Sequence, residues 1–365
     1  MSRQMEPSEV AALCARHVPG WEGMDPATFT VTRTSDSEWH GLYFVKAGEA
    51  TVVVNCSSWT GVNLTNQVQA SLAASHSGLC PKVLHCDKGV LISSFLSGRT
   101  LSPEDMAIPE VMGRFGELLA GFHAIDTSWV EPVRQELQQS EALGPPGWEA
   151  CWFSLRALLD LVPQSTKNEL ANVDWKGLQQ EIAGLSALEL LPRDGVTVRT
   201  VTVHGDLHGM NIMWDSDQLK LIDFDLTSVG PAGLDIGHVG LFLLGFAQTS
   251  SVSRTAPLPV QQAFAAGYLA AAGAPADAAG VARLLAEMQH WMYPQILRLG
   301  LLCAVLMSRE GFPAKRAVMR RLGPMCLDPG YLGECRAVLR EGHAELGARG
   351  LLAVAEGRWR EGAAR

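Results

Sequence analysis

None of the eight cysteines (positions 14, 56, 80, 86, 151, 303, 326 and 335) falls in a CxxC pair. That speaks against a zinc ribbon and against a disulfide framework, and fits reduced thiols. Positive charge is also short. The 29 Lys and Arg face 38 Asp and Glu, a formal net charge of −9, whereas a nucleic-acid partner needs a basic face. No apolar run can span a bilayer, because 239–247 is too short and 296–307 is interrupted by Arg298. The opening stretch MSRQMEPSEVAALCARHVPG has no continuous apolar segment of the signal-peptide kind. The expectation is a cytoplasmic protein with no nucleic-acid or membrane partner, its oligomeric state left open.

What is present reads as globular: 47% hydrophobic and 18% charged residues over a chain of 365. That length exceeds a single typical core, so two lobes are expected. The most informative stretch is Val201 to Gly237, VTVHGDLHGMNIMWDSDQLKLIDFDLTSVGPAGLDIG. An apolar strand, Val201 to Val203, enters the polar loop His204 to Asn211. A hairpin follows, Ile212 to Trp214 and Leu219 to Ile222 around Asp215-Ser216-Asp217, and it delivers Asp223 at its end. Asp206, Asn211 and Asp223 are thereby directed to one place. An Asn and an Asp supply the hard oxygen ligands that suit Mg²⁺. Asp206, beside such a metal, can orient a hydroxyl and accept its proton.

The pattern HxDxxxxN followed by IDFD resembles the aminoglycoside phosphotransferase and choline kinase superfamily, relatives of protein kinases. The run Gly230 to His238, GPAGLDIGH, is similar to its methylthioribose kinase and choline kinase branches. The resemblance implies an α+β, protein-kinase-like two-lobed fold. A small antiparallel β-sheet lobe (residues 1–97) would bind nucleotide, and a large, mainly helical lobe (98–365) would carry catalysis and substrate binding. It implies an ATP- and Mg²⁺-dependent small-molecule kinase acting on a hydroxyl of a choline- or ethanolamine-like, methylthioribose-like or amino-sugar acceptor. Asp206 is then the catalytic base, Asn211 and Asp223 the metal ligands, and His204 and Asp235 structural supports of the loop. Phe95 and Leu96 form a hinge against the adenine. Asp225, Trp291 and Arg298 are candidates for substrate contact, with Trp291 and Tyr293 able to wall a quaternary ammonium by cation–π attraction.

Taken in order, residues 5–18 predict a short amphipathic helix with Ser8 as N-cap. Thr28 to Thr34, Gly41 to Lys46 and Ala50 to Cys56 predict three strands, Asn66 to Ser75 a helix, and Val83 to His85 and Val90 to Phe95 two more strands. Helices are expected over 108–125, within an insertion at 145–192 holding Trp148, Trp152 and Trp175, over 260–272, 278–306 and 313–322, and in the tail 331–358. His123 is expected to plug the core. The small lobe departs from the family pattern. Asn55 stands where relatives place a phosphate-binding Lys or Arg, and Gln67 or Gln69 stands where they place its Glu partner. The loop 34–41 is glycine-poor and acidic, a weak cradle for phosphates. Three accounts stay open: Lys46 or Lys82 supplies the cation, the nucleotide is held through the metal and hinge alone, or the protein binds a nucleotide or metabolite without turnover.

Overall fold

The structure, a computed structural model, describes residues 5–34, 41–57, 61–87, 89–127, 155–156, 158–184, 200–243, 256–307 and 313–340. The expectations for the acidic loop at 35–40, for Trp148 and Trp152, and for the tail beyond 340 lie outside those residues.

Five strands rich in Val, Thr, Tyr and Phe build one antiparallel sheet: β1 (Thr30–Arg33), β2 (Gly41–Ala47), β3 (Ala50–Cys56), β4 (Val83–Asp87) and β5 (Val90–Ser94), in the order β1-β2-β3-β5-β4. Tyr43, Val45, Val52, Val54, Val90 and Ile92 point to one face and are buried against Val10, Cys14 and Val18 of helix α1 (Pro7–His17) and against Trp21. Each such side chain contributes about 1.5–3 kcal/mol of burial, enough to fix the register. The opposite face carries Leu42, Phe44, Val53, Asn55 and Leu91, half-buried. Helix α1 is capped by Glu6 and not by Ser8. Pro7 occupies the first turn with its φ already set, so the cap falls earlier, and Glu6 N bonds Glu9 Oε2 at 3.0 Å. Helix α2 (Gly61–His76) begins five residues before its predicted start. Its first turn, Gly-Val-Asn-Leu-Thr, is made mostly of weak helix formers and is invisible to propensity.

Two smaller sheets frame the stretch Val201 to Gly237. β8 (Ile212–Asp215) and β9 (Gln218–Leu221) form the predicted hairpin, closed by Ser216 and Asp217 at φ 47° and 67°, the left-handed pair that a two-residue turn needs. A two-residue strand, β6 (Arg99–Thr100), pairs with β8, and Leu221 N reaches Leu79 O at 2.8 Å, so the segments flanking the first sheet are tied to this hairpin. β7 (Thr200–Val203) pairs antiparallel with β10 (Ser228–Pro231), Val203 opposite Ser228. This second pairing delivers the GPAGLDIG run to the side of the polar loop.

The other described elements are mainly helices: α3 (Pro109–His123), α4 (Gln164–Glu169), α5 (Trp175–Gly184), α6 (Gly233–Leu243), α7 (Leu258–Ala271), α8 (Ala278–Met307), α9 (Pro313–Cys326) and α10 (Pro329–Arg340). Helices α3 and α7 touch backbone to backbone, because a Cβ on Gly116 would lie 2.2 Å from Phe264 O and one on Gly267 2.1 Å from Gly113 O. That contact fixes α3, whose last turn carries Phe122 and His123 under the polar loop. The predicted α+β architecture with a small sheet and a large helical part is the one found.

Candidate active site

β7 ends at Val203 and the chain enters the loop through Gly205 at φ 81°, with Leu226 O only 2.4 Å from where a Cβ would stand. Only glycine meets both conditions without strain. Asp235, near the start of α6 and fully buried, holds the loop from beneath. Its two oxygens accept His204 N (2.7 Å) and Gly205 N (2.9 Å), and His123 Nε2 lies 3.1 Å away. The other ring nitrogen of His123 meets the Tyr268 hydroxyl at 2.8 Å, so His123 joins α3, α6 and α7 in the core, as its sequence position predicts. Burial works to raise the Asp235 pKa, but the His123 hydrogen bond, the His123 and His204 rings and the Gly205 amide outweigh it and hold the carboxyl below its usual range.

His204 is buried and bridges two parts of the site. Its Nε2 donates to Ile222 O (3.0 Å), and its Nδ1 accepts Asp206 N (3.3 Å). That pattern requires one protonated nitrogen, the neutral ring, in accord with a pKa lowered by burial. Asn211 completes the link. Its Nδ2 bonds Asp206 O (2.8 Å) and lies 3.3 Å from Asp206 Oδ2, while its backbone carbonyl accepts Ile222 N (3.0 Å). Asp206 and Asn211 are thus in direct contact, and both are locked to the residue preceding Asp223. Asp223 itself is exposed with φ 64°, a left-handed conformation that costs a non-glycine residue about 1–3 kcal/mol. Phe224, stacked on Phe122 at 5.6 Å and near the His204 ring at 5.3 Å, anchors that turn.

The Asp206 carboxyl is pushed upward by burial. The hydrogen bond from His208 (Nε2 to Oδ2, 3.5 Å) and the nearby His208, His238 and His204 rings override this and keep it well below the usual carboxylate range. A carboxylate so stabilised orients a hydroxyl more than it abstracts a proton from it. The HGDLH motif contains His208 but assigns it no role, because spacing in a loop does not reveal which way a ring points.

Among the described residues no three His, Cys, Asp or Glu side chains cluster as a metal-ligand set. A cation held here would draw on mixed oxygen donors. Asn211 commits its amide nitrogen to Asp206, leaving Oδ1 for coordination, and Asp223 projects from a strained, exposed turn. The donor set is hard oxygen throughout, which suits Mg²⁺ sharing its sphere with waters and phosphates.

The other predicted residues are placed as follows. Asp225 is buried and accepts the Gln67 amide from α2. Arg298 donates Nη1 to Gly205 O at 2.8 Å, a brace on the loop. Trp291 is 2% exposed, its indole packed over Gly233 and its backbone against Gly237, so protein covers the ring face. Tyr293 is equally buried and its hydroxyl bonds Glu181. Phe95 follows β5, is 45% exposed, and meets Phe44 edge-on at 5.8 Å; Leu96 beside it is half-buried. Asn55 faces α2 from β3, paired with Leu42 and Leu91, while Lys46 is exposed at the hairpin end of β2 and Lys82 exposed before β4.

One consequence is measurable without a substrate. Burial, offset in part by Asp206 and reinforced by Arg298, lowers the His238 pKa from 6.5 to about 4. Between those values the unfolded chain binds the extra proton, so stability falls as pH drops from about 6.5 to about 4, by roughly 3 kcal/mol in full. His204 adds loss of the same sign. Thermal melts across pH 7.5 to 4.5 should show this slope, and His238→Gln should flatten it.

Residues 42–292 match the phosphotransferase enzyme family. The chain is 26% identical over 241 residues to a probable ethanolamine kinase of Arabidopsis thaliana, covering 63% of this chain and 60% of that protein, so it spans less than two thirds of that relative's length. Among solved structures, an ethanolamine kinase of Plasmodium vivax superposes with a TM-score of 0.65 at 18% identity, covering 88% of this chain and 96% of that one. A choline kinase of Cryptosporidium parvum gives a TM-score of 0.68 at 11% identity over 96% and 99% of the two chains. At those identities the structures establish the kinase-like fold. Among the described residues no helix is long and apolar enough to cross a membrane.

Proposed function

The chain belongs to the phosphotransferase enzyme family, and on that premise we propose that it is a small-molecule kinase moving the γ-phosphoryl group of ATP to the hydroxyl of an amino alcohol of the ethanolamine or choline kind. The observation that carries the reading is the contact of Asp206 with Asn211 and their shared attachment to the backbone that presents Asp223. In the reaction the acceptor oxygen forms a bond to γ-phosphorus, the bond from that phosphorus to the β–γ bridging oxygen breaks, and ADP leaves. Asp206 aligns the hydroxyl and takes its proton, which then passes to solvent. Asn211 and Asp223 would hold Mg²⁺, which when bound offsets the charge of the β- and γ-phosphates. His208, against Asp206, keeps the base ionised and pointed. Phe95, Leu96 and the half-buried face of the sheet, Asn55 included, line the side from which the nucleotide would enter.

The acceptor assignment draws on the ethanolamine and choline kinases to which the chain is similar. Trp291 and Arg298, packed and bonded within the protein, support roles as braces of the loop and of α6. Asn55 and Gln67 favour a second reading, a protein that binds nucleotide without turnover. The intact Asp206, Asn211 and Asp223 weigh against it. ADP release with Mg²⁺ and ATP, measured against ethanolamine, choline, methylthioribose, homoserine and amino sugars, separates the two. Turnover with ethanolamine or choline is the expected result. Nucleotide-induced thermal stabilisation without turnover on any acceptor would establish the second reading.

A further inference from the structure

Helix α2 turns one stripe toward the rest of the protein. Gln67, Ala70, Ser71 and Ala74 are all buried, at the spacing of a single helical face. Ala70 and Ala74 join the large core that contains Leu219, Leu221 and Phe224. Gln67, first of the four and 4% exposed, donates Nε2 to the buried carboxylate of Asp225, 158 residues away in sequence.

Chemistry fixes how Gln67 lies. An ionised carboxylate accepts and cannot donate, so the amide nitrogen faces Asp225 and Oε1 faces away. There Gln67 lines a shallow recess together with Asn55, Val68 and Leu91. Among the described residues neither Gln67 Oε1 nor Asn55 Oδ1, both buried, has a hydrogen-bond partner. The bond to Asp225 is therefore what holds this side chain in place. A neutral donor is also what the position requires. A Glu here would press a second carboxylate against Asp225, and Asn55 on β3 brings no charge to offset it.

Asp225 lies in the turn that presents Asp223. Its backbone N reaches Asp223 Oδ1 at 3.4 Å, and Thr227 N closes the turn on Phe224 O at 3.1 Å. A hold on Asp225 is thus a hold on residues 223–227, including the left-handed Asp223. We propose that Gln67 is a positioning residue of the transfer site, its neutral amide latching helix α2 to Asp225 and so fixing the turn that carries Asp223. Helix and loop are joined without the ion pair that a Lys on β3 would demand. The proposal rests on the phosphotransfer reading for its consequence in catalysis, and on the geometry alone for the latch.

The test compares Gln67→Met, Gln67→Glu and the reciprocal pair Gln67→Glu/Asp225→Asn with wild type. Amide hydrogen exchange in ligand-free protein reads the latch directly. Gln67→Met, which keeps length and loses the donor, is expected to speed exchange of residues 221–228 about tenfold while the rest of the chain is unchanged. Its kcat falls about tenfold with the acceptor KM held within twofold. Gln67→Glu is worse, and the pair, which sets a donor against a carboxylate with polarity reversed, regains protection lost in Gln67→Glu. Wild-type exchange over 221–228 in Gln67→Met, or acceleration spread evenly over the protein, would overturn the proposal. If Gln67→Met does not fold, a reciprocal pair no better protected than Gln67→Glu overturns it instead. A wild-type protein inert towards every acceptor counts against the phosphotransfer reading, whereas unchanged exchange counts against the latch alone.

Discussion

Asp206→Asn is expected to lower kcat about a thousandfold, within the range seen when a positioned acid–base group is removed, while the melting temperature stays within a few degrees. The substitution keeps the volume of the side chain and leaves an oxygen for Asn211 Nδ2, which lies 3.3 Å from Asp206 Oδ2 and 2.8 Å from its backbone carbonyl. The backbone bond from Asp206 N to His204 is untouched. Two things disappear: the negative charge opposite His208 and, under the proposed mechanism, the acceptor for the hydroxyl proton. Nucleotide binding, followed by thermal shift with ATP and Mg²⁺, should persist, because Asn211 and Asp223 remain. Steady-state ADP release with the best acceptor is the deciding measurement. A variant that retained more than a tenth of wild-type turnover would remove Asp206 from the chemistry, and the loop around it would lose its catalytic role.

Much of this site was legible in the sequence because its parts are local. The loop His204 to Asn211, the Asp215–Asp217 turn and Asp223 lie within a stretch where strand alternation and turn residues specify the hairpin without help from elsewhere. The five-stranded sheet was legible for a related local reason, its strands being rich in β-branched and aromatic residues and separated by turn residues. What escaped depends on partners distant in sequence. The bond from Gln67 to Asp225 spans 158 positions and the Arg298 contact with Gly205 spans 93, and neither leaves a periodic trace. Strands β6 and β10 are too short, and too poor in β-branched residues, to announce themselves before their partners are known. Trp291 shows the converse difficulty: an aromatic on a late helix looks the same whether it lines a pocket or seals one, and Gly233, which receives its indole, lies in another segment.

His123 of α3 and two amides of the loop converge on Asp235, and its removal should have the largest effect on stability. Asp235→Ala is expected to cost about 3–5 kcal/mol, the range for breaking a buried, charged hydrogen-bonding group, and to lower the melting temperature by on the order of 10 °C. Asp235 is fully buried and accepts two backbone amides, while His123 Nε2 lies 3.1 Å away and links it to Tyr268. Alanine leaves two buried N–H groups and an imidazole without an acceptor, and each such group bears its full desolvation cost. Asp235→Asn should recover only part of the loss. One of its two polar atoms is then an NH₂, which must face the amide of His204 or Gly205, donor against donor. The sign of the pH response follows as well. The folded-state pKa of Asp235 is depressed, so its contribution is complete above the ordinary Asp range near pH 4 and is lost as pH falls through the folded value. Asp235→Asn should therefore show a shallower acid limb than wild type in chemical denaturation. An Asp235→Ala protein as stable as wild type at pH 7 would mean that the loop is held by something other than this carboxylate. The alignment of Asp206, which inherits its position from His204 and Gly205, would then need another cause.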